Sequence, residues 1–427
     1  MAVTAQTQVL SRSIPTAATR VDANRATAAY LAFLAFIATV YMSLPQLVPQ
    51  LETLAPAKTI IAFAALAVGW ACIMGQRRFH LGLIAGGGAF FVFFALVIAS
   101  PMWSVWPRMS VDAAAESIKY LAAIVIAVNV LDTRKRIRTA TAVIVLCSLF
   151  PAIGALFNYV SGAPLVEGDR ASWIGAYMNP NFVAYYLVVS TPMALALRET
   201  TPKGSLARWA WLGVVGIFVA GVLVTGSRGG FLGLGAVVTL FLLRSFAKGK
   251  AAFGAAVVVG AALLLTPMSP LNRVDTMENL SGEVDASARG RIDAWRTAIR
   301  MIEANPILGV GAGAFVVGYE KYAPGDAGPA RTAHNSFAIV AAELGLPALA
   351  VFIYGLIAAF RALGRAARRA TPRAATVAVG VQTGLFGVCV CSLTGGYAFT
   401  WPLFFCLGLA AAIALREARP KVETRTA

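Results

Sequence analysis

Long apolar runs alternate with short polar ones along most of this chain. The runs are rich in Ala, Leu, Val, Ile, Phe and Gly. At about 17 to 25 residues each, they can cross a hydrocarbon core as helices, which pair all their own backbone groups. The two-residue alternation of a membrane β-barrel is absent. The pattern predicts an all-α polytopic membrane protein with about twelve transmembrane helices. They fall near 26–44, 59–75, 81–100, 119–131, 139–159, 182–197, 209–226, 230–246, 251–267, 336–360, 374–394 and 400–415. The fourth can start as early as Val111. The first is too long for a signal-peptide core and lacks a small-residue cleavage site, so it reads as a retained anchor. Residues 1–25 and 416–427 read as polar tails, and 26–415 as one membrane domain.

One stretch breaks the pattern. The loop 268–335 carries Arg273, Arg289, Arg291, Arg296, Arg300 and Arg331, and it ends in His334-Asn335. Ser287 can cap a helix running to about Ala304, where Asn305-Pro306 stops it. Ile292, Trp295, Ile299 and Ile302 recur at three- and four-residue spacing, and Arg289, Asp293, Arg296 and Arg300 form a second stripe. This predicts an amphipathic helix on the membrane surface, apolar face down and cations at the headgroups. The glycines of Leu308-Gly309-Val310-Gly311-Ala312-Gly313 follow no strand, so they read as a packing or re-entrant turn and not as a nucleotide loop.

Composition and charge sharpen the picture. The chain of 427 residues is 59% hydrophobic and 13% charged, more apolar surface than a soluble domain can hide. The net charge of +17 is unevenly spread. With the spans above, 24 of the 36 Lys and Arg fall on the side of the two tails, against 5 of the 19 Asp and Glu, a balance of +19 on that side and −2 on the other. This is the positive-inside pattern with both termini cytoplasmic and the long loop periplasmic. The basic loops therefore read as topology signals and contacts to anionic membrane lipids, not as a nucleic-acid surface. The 5 cysteines all lie in predicted spans, so no disulfide framework is implied, and no metal-ligand spacing or cofactor motif occurs.

The outward-facing residues suggest chemistry. Arg228, in Ser227-Arg228-Gly229-Gly230, stands at the outer end of a span with no loop to carry it away; its two readings are snorkelling to lipid phosphates and binding a substrate phosphate. Arg291 and Arg289 lie on the loop helix, either as a solvated face or as site cations. His334 sits where the long loop re-enters the membrane, and a near-neutral imidazole suits acid–base work on an alcohol. Asn335 can orient that ring or bond a sugar hydroxyl. Arg170 precedes Asn179-Pro180-Asn181, a tripeptide that breaks and restarts a helix. Glu343, inside a span, must be neutral or paired, and ordering the His334 region is its expected use.

In this order the motifs resemble the O-antigen ligase and polymerase superfamily of bacterial inner-membrane glycosyltransferases. The stretches that carry the resemblance are Arg170-Ala-Ser-Trp-Ile-Gly with Asn179-Pro180-Asn181, then Ser227-Arg228-Gly229-Gly230, then Gly290-Arg291-Ile-Asp-Ala-Trp295 with Asn305-Pro306-Ile-Leu-Gly309-Val-Gly311, and last His334-Asn335 with Glu343-Leu-Gly345. The resemblance implies metal-independent transfer of a glycan from undecaprenyl diphosphate to an acceptor hydroxyl at the periplasmic face of the inner membrane, the acceptor being a glycan or glycolipid (lipid A core or a growing repeat unit) or, in some members, a protein serine. It implies Arg228, Arg291 and His334 as catalytic residues, with Arg170, Arg289, Asn335 and Asn181 at the substrate. Arg289 and Arg291 compete for one of these positions. Ligase and polymerase are not separated by these residues, and acceptor choice is expected to reside in the loops 101–119, 161–181 and 324–330.

Two other readings fit the topology. A lipid-linked oligosaccharide flippase would place charges at mid-bilayer depth, where Glu343 is nearly alone. A peptidoglycan polymerase would want an acidic residue in an outer loop, for which Asp285 and Asp293 are the candidates.

Overall fold

The computed structural model describes residues 17–73, 79–163, 165, 166, 169–246, 284–325 and 327–418. Helices cover the expected spans in this part of the chain. In order they are α1 (Ala17–Tyr41), α2 (Pro56–Ile73), α3 (Gly87–Ala99), α4 (Pro107–Val130), α5 (Arg134–Val160), α6 (Pro180–Thr200), α7 (Leu206–Val224), α8 (Arg228–Phe246), α9 (Val284–Ala304), α10 (Ser336–Arg369), α11 (Pro372–Ser392) and α12 (Trp401–Ala418). By length and composition, α2, α5, α6, α7, α10, α11 and α12 qualify among the described residues as membrane-crossing helices, with shorter apolar helices at Thr27–Tyr41 and Gly87–Met102. The expected span 251–267 lies outside the described residues. α1 begins at Ala17, inside the segment expected to be a tail, and α4 begins at Pro107, a turn before Val111.

α6 sits at the centre. It is buried along most of its length and packs against α5, α7, α8 and α11. Tyr185 and Tyr186 are buried on it, and Tyr185 stacks flat on Tyr397 with ring centroids 4.1 Å apart. Large apolar side chains such as Leu66, Trp70 and Tyr354 are exposed on the outside of the bundle, as lipid-facing positions would be.

α9 packs on the first turns of α10 through small residues. Ala294, Ala298 and Met301 are buried with Val310, Phe315 and Tyr319, whereas Ile292, Trp295 and Ile299 are exposed at 47%, 46% and 54%. Of the expected apolar stripe, Ile302 packs against this cluster and the other three side chains are exposed. Asp293 departs from the expected cationic stripe: it is buried at 4% beside Ala294 and Thr297, because the small-residue face, not the charged one, meets the protein.

α10 is broken near its start. Gly345 has φ 83 and ψ 170, a conformation open almost only to glycine. Pro347 follows and has no N–H to offer the carbonyl of Glu343. The glycine-rich segment of the long loop fills the break. Val310 N–H donates to the Ala342 carbonyl at 2.9 Å, Gly311 N–H to the Glu343 carbonyl at 2.8 Å, and Leu346 N–H to the Pro306 carbonyl at 2.8 Å. Among the described residues Glu343 makes no direct contact with His334 and acts on that region only through this segment. Its carboxylate accepts from the Gly313 and Phe315 amides at 2.9 and 3.1 Å. On the other side, Trp103 Nε1 donates to the Leu308 carbonyl at 2.7 Å and Val105 N–H to the Val310 carbonyl at 2.9 Å. The segment 308–315 is a strap clamped between the Trp103–Ser110 region and broken α10. Any side chain at Gly345 would meet the Ile307 carbonyl. Gly345→Ala is therefore expected to destabilise the protein by about 1–3 kcal/mol or more, seen as a lower melting temperature in detergent; an unchanged melting curve would contradict this account of the break.

Candidate active site

The expected site residues come from four separate segments, and local chemistry places each. In Asn179-Pro180-Asn181, Asn179 caps α6, its side chain accepting from the Asn181 amide at 2.9 Å, and Pro180 occupies the first turn. The tripeptide starts a helix and does not interrupt one. Asn181 then projects its carboxamide oxygen to two donors, Arg170 Nη2 at 2.8 Å and Ser227 Oγ at 2.8 Å. Arg170 is buried, and its Nε donates to the Thr225 carbonyl at 3.1 Å. The Arg170–Asn181 stretch and the distant Thr225–Ser227 turn are tied together here. Tyr397 adds to this junction, its hydroxyl donating to the Asn181 carbonyl at 3.1 Å.

His334 is fixed by its neighbours on both sides. Trp295 Nε1 on α9 donates to the Ala333 carbonyl at 2.8 Å. Asn335 caps α10, its side-chain oxygen accepting from Phe337 and Ala338 amides at 3.0 and 3.1 Å. That oxygen is therefore committed to the helix end, and Asn335 does not line the cleft described below. Ser336 Oγ donates to the Gly395 carbonyl at 2.8 Å, which pins the start of α10 to the turn before α12. Between these anchors His334 adopts φ 47, an unusual left-handed backbone for a residue with a side chain. Its half-buried ring makes no hydrogen bond among the described residues.

These pieces enclose a cleft of about 320 Å³. Arg170, Arg291, Arg331 and His334 line it together with Asn179 and Asn181. Arg291 and Trp295 are one helical turn apart on α9, so the residue that anchors Ala333 also aims Arg291 at the cleft. Gly290 has a specific use: a side chain there would run into the Arg331 guanidinium. Arg331, part of the cationic cluster in the sequence but given no role there, is thus seated in the site by a neighbouring glycine. The side chain of Arg289 lies outside the described residues.

Arg228 is placed differently from the others. It is the first residue of α8 and is exposed, and it is not among the residues lining the cleft. It follows Ser227, which is bonded to Asn181 of the cleft wall. The glycines after it serve packing: a side chain at Gly229 would strike Thr394, and a Cβ at Gly230 would come 2.6 Å from that of Ala184.

The electrostatics are one-sided. No carboxylate lines the cleft among the described residues. Burial holds the His334 pKa below its ordinary 6.5, and Arg291, Arg331 and Arg170 push it further down. The ring is neutral at pH 7, able to accept a proton, and faces a cavity suited to an anion.

Residues 206–353 match the family model described as O-antigen ligase. The match runs from α7 through the Ser227–Gly230 turn and α9 to His334 and the break in α10. It covers about a third of the chain and supports the superfamily that the motifs resemble. No curated protein matches the chain. Among solved structures, a chain described under structural coordination of polymerization and crosslinking by a peptidoglycan synthase complex is similar at 15% identity. The likeness covers 80% of this chain and 99% of that one, with a TM-score of 0.43.

Arg331→Gln is expected to raise the His334 pKa toward 6.5, because it removes one of the charges that disfavour the imidazolium. Titration of the imidazole by NMR in detergent checks this; an unmoved or lower pKa would contradict the reading of the cleft.

Proposed function

We propose that this protein transfers a glycan from undecaprenyl diphosphate to an acceptor hydroxyl at the periplasmic face of the bacterial inner membrane, in surface-polysaccharide assembly. The observation that supports it best is the convergence of Arg170, Arg291 and Arg331 on a cleft that also holds a neutral His334. Departure of a lipid diphosphate builds negative charge, and fixed guanidinium forks stabilise that charge most when it is largest, in the transition state. In this reading Arg291 and Arg331 hold the diphosphate. Arg170, already bonded to Asn181 and Thr225, sets the wall behind it. Arg228, exposed at the head of α8, reaches the diphosphate from outside the cleft.

The acceptor oxygen attacks the anomeric carbon as the bond from that carbon to the diphosphate oxygen breaks. The acceptor proton passes to the free nitrogen of His334, and the lipid diphosphate leaves with the bonding electron pair. α9 forms the roof, with Ile292, Trp295 and Ile299 turned to the lipid and Arg296 and Arg300 near its headgroups. The same cleft serves a ligase or a polymerase, since both use this donor and differ in the acceptor.

Replacing His334 or Arg291 by Ala is expected to lower glycan transfer by roughly 10²-fold or more while leaving membrane insertion intact. Transfer from purified lipid-linked glycan checks this; near-full activity in either variant sinks the assigned role. Arg228→Lys is expected to be poor as well, since a point charge lacks the two-pronged fit. The acid limb of the kcat/KM profile, which reports the free enzyme, should lie below 6.5, because the base form of His334 persists to lower pH than in a free imidazole. A limb above 6.5 would exclude His334 as the proton acceptor in this environment.

A further inference from the structure

A second cluster of arginines lies at the opposite end of the helices that present the candidate active site. α8 starts at Arg228 and carries Arg244 near its other end, about 24 Å along the axis at 1.5 Å per residue. α10 starts beside His334 and carries Arg361, Arg365 and Arg368 on one face of its last turns. These four arginines line a cleft of about 280 Å³.

The cleft is built, not merely basic. Gln382 lies midway along α11 and is 1% exposed, an expensive place for an amide unless all its polar atoms are used. They are used here: its oxygen accepts from Arg244 Nη1, and its Nε2 donates to the Phe360 carbonyl at 2.7 Å. The Arg244 guanidinium lies over the Phe360 ring, 5.3 Å from its centroid. Gly364 forms the floor. A Cβ there would be 3.0 Å from Gln382 Nε2, 3.8 Å from Arg368 Nη1 and 3.9 Å from Arg244 Nη1. Two guanidiniums from different helices thus approach one point over a residue without a side chain. Among the described residues no carboxylate forms an ion pair with any of the four. Charges that only set topology have no need to converge on a glycine floor around a buried amide. Converging like charges are favoured when an anion lies between them.

We propose that this cleft binds the phosphate headgroup of an anionic lipid in the leaflet at that end of the bundle. The side chains leading away from it favour a lipid over a soluble phosphate. Ile357 and Tyr354 lie one and two turns inward from Arg361 on α10 and are exposed at 45% and 66%, and Leu243 beside Arg244 is exposed as well. An acyl chain can lie along this apolar flank while the headgroup phosphate takes two-pronged hydrogen bonds from the arginines. The site is separate from the candidate active site and does not depend on the reaction assigned there.

Native mass spectrometry of the full-length protein in detergent, titrated with phosphatidylglycerol or with phosphatidylcholine, tests the proposal. Phosphatidylglycerol should bind at least tenfold more tightly. Arg361→Gln/Arg365→Gln/Arg368→Gln should abolish that preference. Arg361→Lys/Arg365→Lys/Arg368→Lys should weaken it several-fold at unchanged net charge, and Gly364→Leu should do the same by filling the floor. Lys135→Gln/Arg373→Gln removes two charges from a different cleft and should leave the preference intact. Equal affinity for the two lipids, or a preference that survives both charge-conserving changes, would overturn the proposal. Tighter binding of inorganic pyrophosphate than of phosphatidylglycerol would overturn the lipid assignment.

Discussion

A helix that crosses a membrane must pair its own backbone, and α10 does not. At Gly345 the chain leaves helical geometry, and Pro347 removes the amide that would have served the Glu343 carbonyl. In a bilayer such exposed groups would cost several kcal/mol each. Amides of the long loop take them instead, at Val310 and Gly311, while Leu346 turns to Pro306. The break therefore fixes where the loop sits. Once the strap 308–315 is clamped to α10 and to the Trp103–Ser110 region, α9 can lie only across the first turns of α10. Trp295 then reaches the Ala333 carbonyl, and His334 is held where the loop re-enters the bundle.

The cleft that results gathers charge of one sign around a neutral base. Arg170 is fixed by Asn181 and Thr225, Arg331 lies over Gly290, and Arg291 is aimed by the helix that carries Trp295. These contacts all come from the protein's own residues, which hold the cations together. A bound diphosphate would relieve that repulsion and, by neutralising the arginines, make His334 a stronger base than the arginines alone allow. Binding and proton acceptance would then reinforce one another. The second arginine cluster obeys the same logic at the other end of α8 and α10, with a buried glutamine in place of the asparagine as the organiser.

The helical character was legible because apolar periodicity and length suffice to find helices in a membrane protein: seven described helices are long and apolar enough to cross one, and Pro107, Pro180 and Pro372 fall in first turns, as helix starts would suggest. The existence of α9 and its end at Asn305-Pro306 were readable for the same reason. Its inner face was not, because Ala294, Thr297 and Ala298 carry little hydrophobic signal and Asp293 looks like a surface charge; only the small-residue packing against α10 shows that it is inside. Among site residues, Arg170, Asn181, Arg291 and His334 meet in one cleft. The cap at Asn335 claims its side-chain oxygen, and the partners of Glu343 are backbone amides; neither is revealed by a side-chain pattern. Arg331 could have been found from Gly290, but only if one knew that the two face each other. Arg228 stands apart from the cleft lining, exposed at the head of α8, and its motif alone does not reveal this.

The most direct test of the central claim is a structure of the protein with undecaprenyl diphosphate bound, determined in a lipid nanodisc. The account predicts phosphate oxygens at hydrogen-bond distance, about 2.7–2.9 Å, from guanidinium nitrogens of Arg291 and Arg331, with the His334 ring beside the terminal phosphate. A diphosphate bound elsewhere in the bundle, with those three side chains unengaged, would contradict it.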